Sequence, residues 1–226
     1  MKSEYNNNGY YLIESALDND IVSRLIAELS VFEKEMNNYG IRNLMNKVPY
    51  IRELANSTHL LSVVCEILGD KAKPVRSVFF DKVPEANWNV AWHQDTSIAV
   101  KSRHAATGFG PWSIKQGVVH VEPPVEYLAN TLTLRIHLDE TNSESGVLRV
   151  VAGTHSKGRI SSKQILDTVE HAEIIECNAK PGDVLLMSPL LFHSSRKATA
   201  PSHRRIVHIE YTALALPTPL EWYESA

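Results

Sequence analysis

TLTLRIHLD, residues 131–139, alternates without a break: Leu132, Leu134, Ile136 and Leu138 fall on one side, Thr131, Thr133, Arg135 and His137 on the other. Successive side chains of an extended chain point to opposite sides, so the stretch predicts a β-strand with one apolar and one polar face. The polar face has two possible homes, the inside of a metal-lined barrel or a solvated sheet surface. Shorter runs of strand character recur at residues 75–83, 118–121, 147–151, 183–187, 190–193 and 204–211, punctuated by Gly146, Gly153, Pro181-Gly182 and Pro201. Many short strands with turn signals and no interleaved helices predict two antiparallel sheets packed as a jelly-roll-like sandwich.

The chain before residue 73 reads differently. After a short apolar piece at 9–13, Asp18 or Asp20 can cap a helix in which Ile21, Val22, Leu25, Ile26, Leu29 and Phe32 recur at helical spacing. A second helix fits 57–68, with Leu60, Leu61, Val64, Cys65 and Leu68 on one face and Gly69 as its stop. The expectation is a single domain over 1–226, mainly β, with helical support at 1–72 and a jelly-roll core at 73–215. Residues 96–124, around Gly108-Phe-Gly-Pro-Trp112, form the one long irregular stretch and are expected to be a lid loop.

Composition narrows the function. With 226 residues, 43% of them apolar, the chain can bury a core; 23 basic against 26 acidic residues leave no footprint for a nucleic acid backbone. No run of apolar residues is long enough to span a membrane, and MKSEYNNNGYYLIE has no apolar leader core. Cys65 and Cys177 form no CxxC pair and read as buried core thiols of a reducing compartment, so the protein is expected to be soluble and cytoplasmic.

The chemistry centres on Trp92-His93-Gln94-Asp95. In an extended segment His93 and Asp95 project to the same side and can grip one ion; His193, at the end of the 190–193 run, is the natural third ligand. Two imidazoles and a carboxylate on one face of an ion make the facial triad that holds Fe(II) with positions left open. Arg204 opens a strand eleven residues later. Its planar guanidinium suits the far carboxylate of a 2-oxoglutarate chelated to that iron, while Arg205 points the other way. Lys82 and Thr133 lie on strand faces that could border the same cosubstrate.

These residues resemble the phytanoyl-CoA dioxygenase family of iron(II)- and 2-oxoglutarate-dependent oxygenases, from about residue 9 to residue 222. His93-Gln-Asp95 matches the family's HxD, His193 its distal histidine, Arg204 its cosubstrate arginine and Ser195 a hydroxyl on the same carboxylate. The glycine-bounded segment 146–153 and the turn Pro181-Gly-Asp183 fit as well. The resemblance implies a double-stranded β-helix, bound Fe(II), 2-oxoglutarate and O2 as cosubstrates, and oxidation of a small molecule with release of succinate and CO2. Asp95 stands where related halogenases carry a small residue, which implies hydroxylation or a kindred oxidation.

Two other readings stand beside it: a zinc hydrolase using the same three ligands, and a non-enzymatic jelly-roll binding module. The 96–121 segment carries Lys101, Arg103 and Lys115 and no acid. It is therefore expected to close over an anionic substrate, with Arg103, His104, Phe109 and Trp112 as contacts.

Overall fold

The alternating stretch forms a strand over Thr131–His137 in which every residue is buried. The computed structural model describes residues 1–35, 40–200 and 203–224; Pro201 lies outside them. The N-terminal part runs α1 (Lys2–Asn8), β1 (Tyr10–Ile13), α2 (Asn19–Leu29), β2 (Ile41–Arg42), α3 (Leu44–Lys47), α4 (Pro49–Ala55) and α5 (Thr58–Leu68). Then come β3 (Lys73–Asp81), β4 (Val90–His93), β5 (Ile98–Val100), β6 (Trp112–Lys115), β7 (Val118–Val121), α6 (Val125–Ala129), β8 (Thr131–His137) and β9 (Leu148–Val151). The chain ends through α7 (Ser162–Val169), β10 (Ile175–Glu176), β11 (Val184–Met187), β12 (Phe192–Ser195) and β13 (Arg205–Thr212).

A six-stranded sheet in the order β1-β11-β8-β13-β3-β2 faces a four-stranded one, β10-β9-β12-β4, and every pairing is antiparallel. This is the double-stranded β-helix. Leu148 and Val150 of the smaller sheet pack against Leu185 and Met187 of the larger. On the larger sheet's other side, Leu132, Leu134, Ile136 and Leu138 meet Leu25, Leu29, Ile51, Leu60 and Val64 of the N-terminal helices. Each such side chain stabilises the fold by about 1.5–3 kcal/mol on leaving water. That packing turns Thr133, Arg135 and His137 inward, so the polar face lines the barrel.

Local chemistry sets the helix ends. The Asp18 carboxylate accepts the Ile21 amide at 2.8 Å and the Ser57 hydroxyl accepts that of Leu60 at 3.3 Å. Gly69 stops α5 with φ of +85°, a conformation that a residue with a Cβ resists.

Several expectations are corrected. Helices are interleaved with the strands: α6 precedes β8, and α7 lays Ile165 and Val169 on Val151, Phe192 and Trp92 of the smaller sheet. Residues 96–124 are irregular only in part: β5, β7 and β6 form a third sheet in that order, and 101–111 is the loop between β5 and β6. Ile98, Val100 and Val121 bury against Leu128, Leu190 and Trp222, and the Tyr223 amide bonds Ala99 O at 3.1 Å. Apolar alternation too short to stand out is thus completed by the distant C-terminal segment. Cys177 is buried but Cys65 only half so; both are free thiols. Among the described residues no helix is long and apolar enough to cross a membrane.

Candidate metal centre and cosubstrate pocket

His93 ends β4 and His193 sits in β12, directly opposite it in the antiparallel register. Their rings lie 4.1 Å apart. Asp95 follows β4, where its amide donates to Pro189 O at 2.8 Å. His93 Nε2 lies 3.7 Å from Asp95 Oδ1 and His193 Nε2 lies 3.6 Å from Asp95 Oδ2. One ligand atom from each of the three residues falls within 4.8 Å of the others, so the trio could hold one ion.

The two imidazoles are prepared alike. His93 Nδ1 donates to Ala91 O and His193 Nδ1 to Leu191 O, each at 2.8 Å. A carbonyl only accepts, so the proton is on Nδ1 and the Nε2 lone pair faces Asp95. Burial and the neighbouring His93 push His193 down to about 4, leaving it neutral near pH 7. Although burial alone would raise it, Asp95 is held well below the ordinary carboxylate range by His193 and His93. A carboxylate and two imidazoles with Nε2 turned toward it are the donor set that a divalent iron takes.

Beside the trio a cavity of about 160 Å³ runs between the sheets, bordered by Arg76, Phe80, Trp88, Arg135, Arg204 and His208. Its inner wall follows from period two: Arg204, just before β13, shares a face with Ile206, His208 and Glu210 of that strand, while Val207, Ile209 and Tyr211 enter the helix-covered core. Arg205 is on that second face and grips Asp139 through Nε at 2.9 Å and Nη2 at 2.7 Å.

At the cavity's far end Ser195 Oγ donates to Gly146 O at 2.7 Å and accepts from Lys82 Nζ at 2.7 Å and Arg204 Nη1 at 3.2 Å. Lys82 is fully buried, and burial with repulsion from Arg204 and Arg135 pushes it down to about 7. Burial and Arg135 likewise lower Arg204, to about 9. The Nε atoms of Arg204 and Arg135 are buried without a hydrogen-bond partner. Two buried cations on one hydroxyl, with Arg135 bordering the same cavity and orphaned Nε donors on both arginines, fit a carboxylate-bearing ligand.

The other site candidates fall as follows. Thr133 is fully buried on the inner face, its hydroxyl without a partner, and shares its register position with Glu210. Phe109 and Trp112 pack in the cluster under the third sheet. Arg103 is exposed with its guanidinium 5.5 Å from the Trp112 ring, and His104 bonds Ser102 at 2.8 Å; none of these four borders the cavity. His203 lies away from the trio and pairs with Asp81 at 2.7 Å. Sequence reasoning missed Arg76, Arg135 and His208 as cavity residues. Arg135 Nη1 meets His208 Nδ1 at 3.3 Å, and His208 Nε2 meets Glu210 at 3.2 Å. For His208 the signal was present in the alternation of residues 204–210.

Comparison with known proteins agrees with this geometry. The phytanoyl-CoA dioxygenase family pattern matches residues 5–206. Among solved structures, HygX from Streptomyces hygroscopicus with nickel and 2-oxoglutarate bound is 15% identical, with a TM-score of 0.67 over 94% of this chain and 86% of its own. The carbocyclase SnoK from nogalamycin biosynthesis is 18% identical, with a TM-score of 0.72 over 93% of this chain and 81% of its own. EctD from S. alaskensis with 2-oxoglutarate and 5-hydroxyectoine is also 18% identical at a TM-score of 0.72, covering 93% of this chain and 74% of that one. No curated protein sequence matches. The match spans most of the chain and includes the trio and Arg204: this protein belongs to the phytanoyl-CoA dioxygenase family of iron(II)- and 2-oxoglutarate-dependent oxygenases.

Proposed function

We propose that this oxygenase hydroxylates a small anionic molecule, with His93, Asp95 and His193 as its metal ligands and Arg204, Ser195, Lys82 and Thr133 around the cosubstrate. Bound iron supplies the oxygen activation that couples decarboxylation of 2-oxoglutarate to succinate and CO2 with oxidation of the substrate. The chain's own residues position. Nδ1 bonds to Ala91 O and Leu191 O hold both imidazoles with Nε2 free for the metal. Arg204 and Lys82 receive the far carboxylate of 2-oxoglutarate, each offering a charge-assisted hydrogen bond in a site shielded from water. Trp88 lies 5.7 Å from Lys82 Nζ and helps exclude water there. Free thiols at Cys65 and Cys177 support a reducing, cytoplasmic setting.

The observation that carries this reading is the pairing of the trio with buried, unpartnered cations in one cavity. A zinc hydrolase would use the trio and leave Arg204 and Lys82 as an electrostatic cost with no return. The test is the visible spectrum of the anaerobic protein with Fe(II) and 2-oxoglutarate. A weak charge-transfer band that appears only with both, and is lost in Arg204→Ala at the same cosubstrate concentration, supports the proposal; no band in the wild type overturns it.

A further inference from the structure

A second group of cations lies where the edge of the larger sheet meets the β6–β7 hairpin. Arg76 borders the main cavity and also a small void of about 10 Å³ that it shares with Arg42 and His120. The hairpin is fastened over this place: Gln116 Nε2 donates to Gly40 O at 2.8 Å, and Lys115 Nζ reaches Ser97 Oγ at 3.1 Å. Ser97 is two residues past Asp95 in the chain, so this bond ties the hairpin to the segment that leaves the metal centre.

The group is short of negative charge. Glu210 is taken by Arg76 at 2.5 Å. Glu224 is occupied by the Ser77 amide and hydroxyl and the Met45 amide, and Asp95 belongs to the trio. Neither Arg42 nor Lys115 pairs with a carboxylate among the described residues. Arg42 Nε and Nη1 are buried without a partner, as is Nε2 of the fully buried His120, whose Nδ1 is spent on Val118 O at 3.0 Å. Burial and Arg76 push Arg42 down to about 10; burial, Arg76 and Arg42 lower Lys115, while Asp95 works in the opposite sense on both. Buried guanidinium donors are seldom left unpaired unless something from outside completes them.

We infer that Arg42 and Lys115 form an oxyanion subsite for the prime substrate, in which a phosphate or carboxylate docks between the β2 edge and the hairpin with the rest of the molecule over His93, Asp95 and His193. The inference rests on the proposed function for the word substrate and moves the anion contact away from Arg103. Arg42 offers the directional donors and exposed Lys115 the charge that first attracts the anion.

The test titrates inorganic phosphate, and separately acetate, into the metal-free protein, followed by two-dimensional amide NMR. Saturable shifts should cluster at Arg42, Ser97 and Lys115. Affinity should fall about tenfold in Arg42→Gln and in Lys115→Gln, the loss of one charge-assisted hydrogen bond at about 1.4 kcal/mol per factor of ten, and stay unchanged in Arg103→Gln. Tighter phosphate names a phosphorylated substrate and tighter acetate a carboxylic one. Lys115 is on the surface, so its variant remains informative even where Arg42→Gln fails to fold. Wild-type affinity in the folded variants, or shifts confined to Lys82, Arg135 and Arg204, would overturn the inference. Because no iron is present, that outcome is separate from loss of the charge-transfer band.

Discussion

Lys82 and Arg204 are cross-strand neighbours that exchange two backbone hydrogen bonds, of 3.3 and 3.2 Å, while both side chains converge on Ser195 Oγ. Burial, together with repulsion from Arg204 and Arg135, pushes Lys82 down to about 7. A bound carboxylate reverses the preference and favours the ammonium. Cosubstrate affinity should therefore fall as pH rises through 7, where the free enzyme's Lys82 loses its proton. The same shift makes the unliganded protein gain stability from about 7 toward 10.5, since over that range the unfolded chain binds the extra proton. KM for 2-oxoglutarate measured across neutral pH in wild type and Lys82→Met checks the first point. A flat wild-type profile would count against Lys82 as a cosubstrate contact.

Arg204 and Arg205 should separate cleanly. Arg204→Ala should raise KM for 2-oxoglutarate about thirtyfold or more, from loss of a buried charge pair worth at least ~2 kcal/mol on truncation. Arg205→Ala breaks the two-pronged bond to Asp139 on the opposite face, so it should lower Tm and leave that KM nearly unchanged. Steady-state kinetics with both variants, beside a melting curve, decides it. The reverse ranking would mean that β13 presents its other face to the cavity.

Replacing any one of His93, Asp95 and His193 by Ala should abolish substrate-dependent turnover of 2-oxoglutarate and bound iron together, because two ligands no longer fix the ion. Iron analysis after desalting is the direct readout. A variant that keeps iron and activity would remove that residue from the ligand set.

Much of this was legible locally. Period two in residues 131–139 marked β8, and Asp18, Ser57 and Gly69 marked helix ends through capping that depends on near neighbours. The HxD and distal histidine stood out as residue types. What the alternation of β8 did not reveal was which face looks inward, since an apolar stripe facing helices and one facing a second sheet read alike. That was settled by Leu25, Leu60 and Val64, far away in the chain. Arg42, Arg76 and Glu210 come together only through the β2-β3-β13 pairing, a long-range register with no local trace. The third sheet was hidden because Ile98–Val100 is short and its polar flanks dominate the window. By contrast α7 carries a local signature in the capping box of Ser161 and Gln164.

Gly146 joins the turn before β9 to Ser195 and Arg204, the proposed cosubstrate contacts. Its φ is +73°, and a Cβ placed there would sit 2.5 Å from Arg196 O and 3.1 Å from Lys82 Nζ. Its carbonyl accepts from Ser195 Oγ at 2.7 Å and from the Arg204 guanidinium. Gly146→Ala therefore combines a backbone strain of about 1–3 kcal/mol with a displacement of the groups that receive the far carboxylate. Gly117 is the matched control: its φ is +77° in the β6–β7 turn, with nothing within 4 Å of a built Cβ. Both variants should lose Tm, by roughly 2–4 °C per kcal/mol for a chain of this size. Only Gly146→Ala should also raise KM for 2-oxoglutarate, because only there does the added methyl press on Lys82 and on the carbonyl that orients Ser195 and Arg204. Melting curves and cosubstrate kinetics on the pair test this directly. Equal KM values would mean that the turn tolerates the methyl by moving away from the pocket, and that Gly146 serves the fold alone.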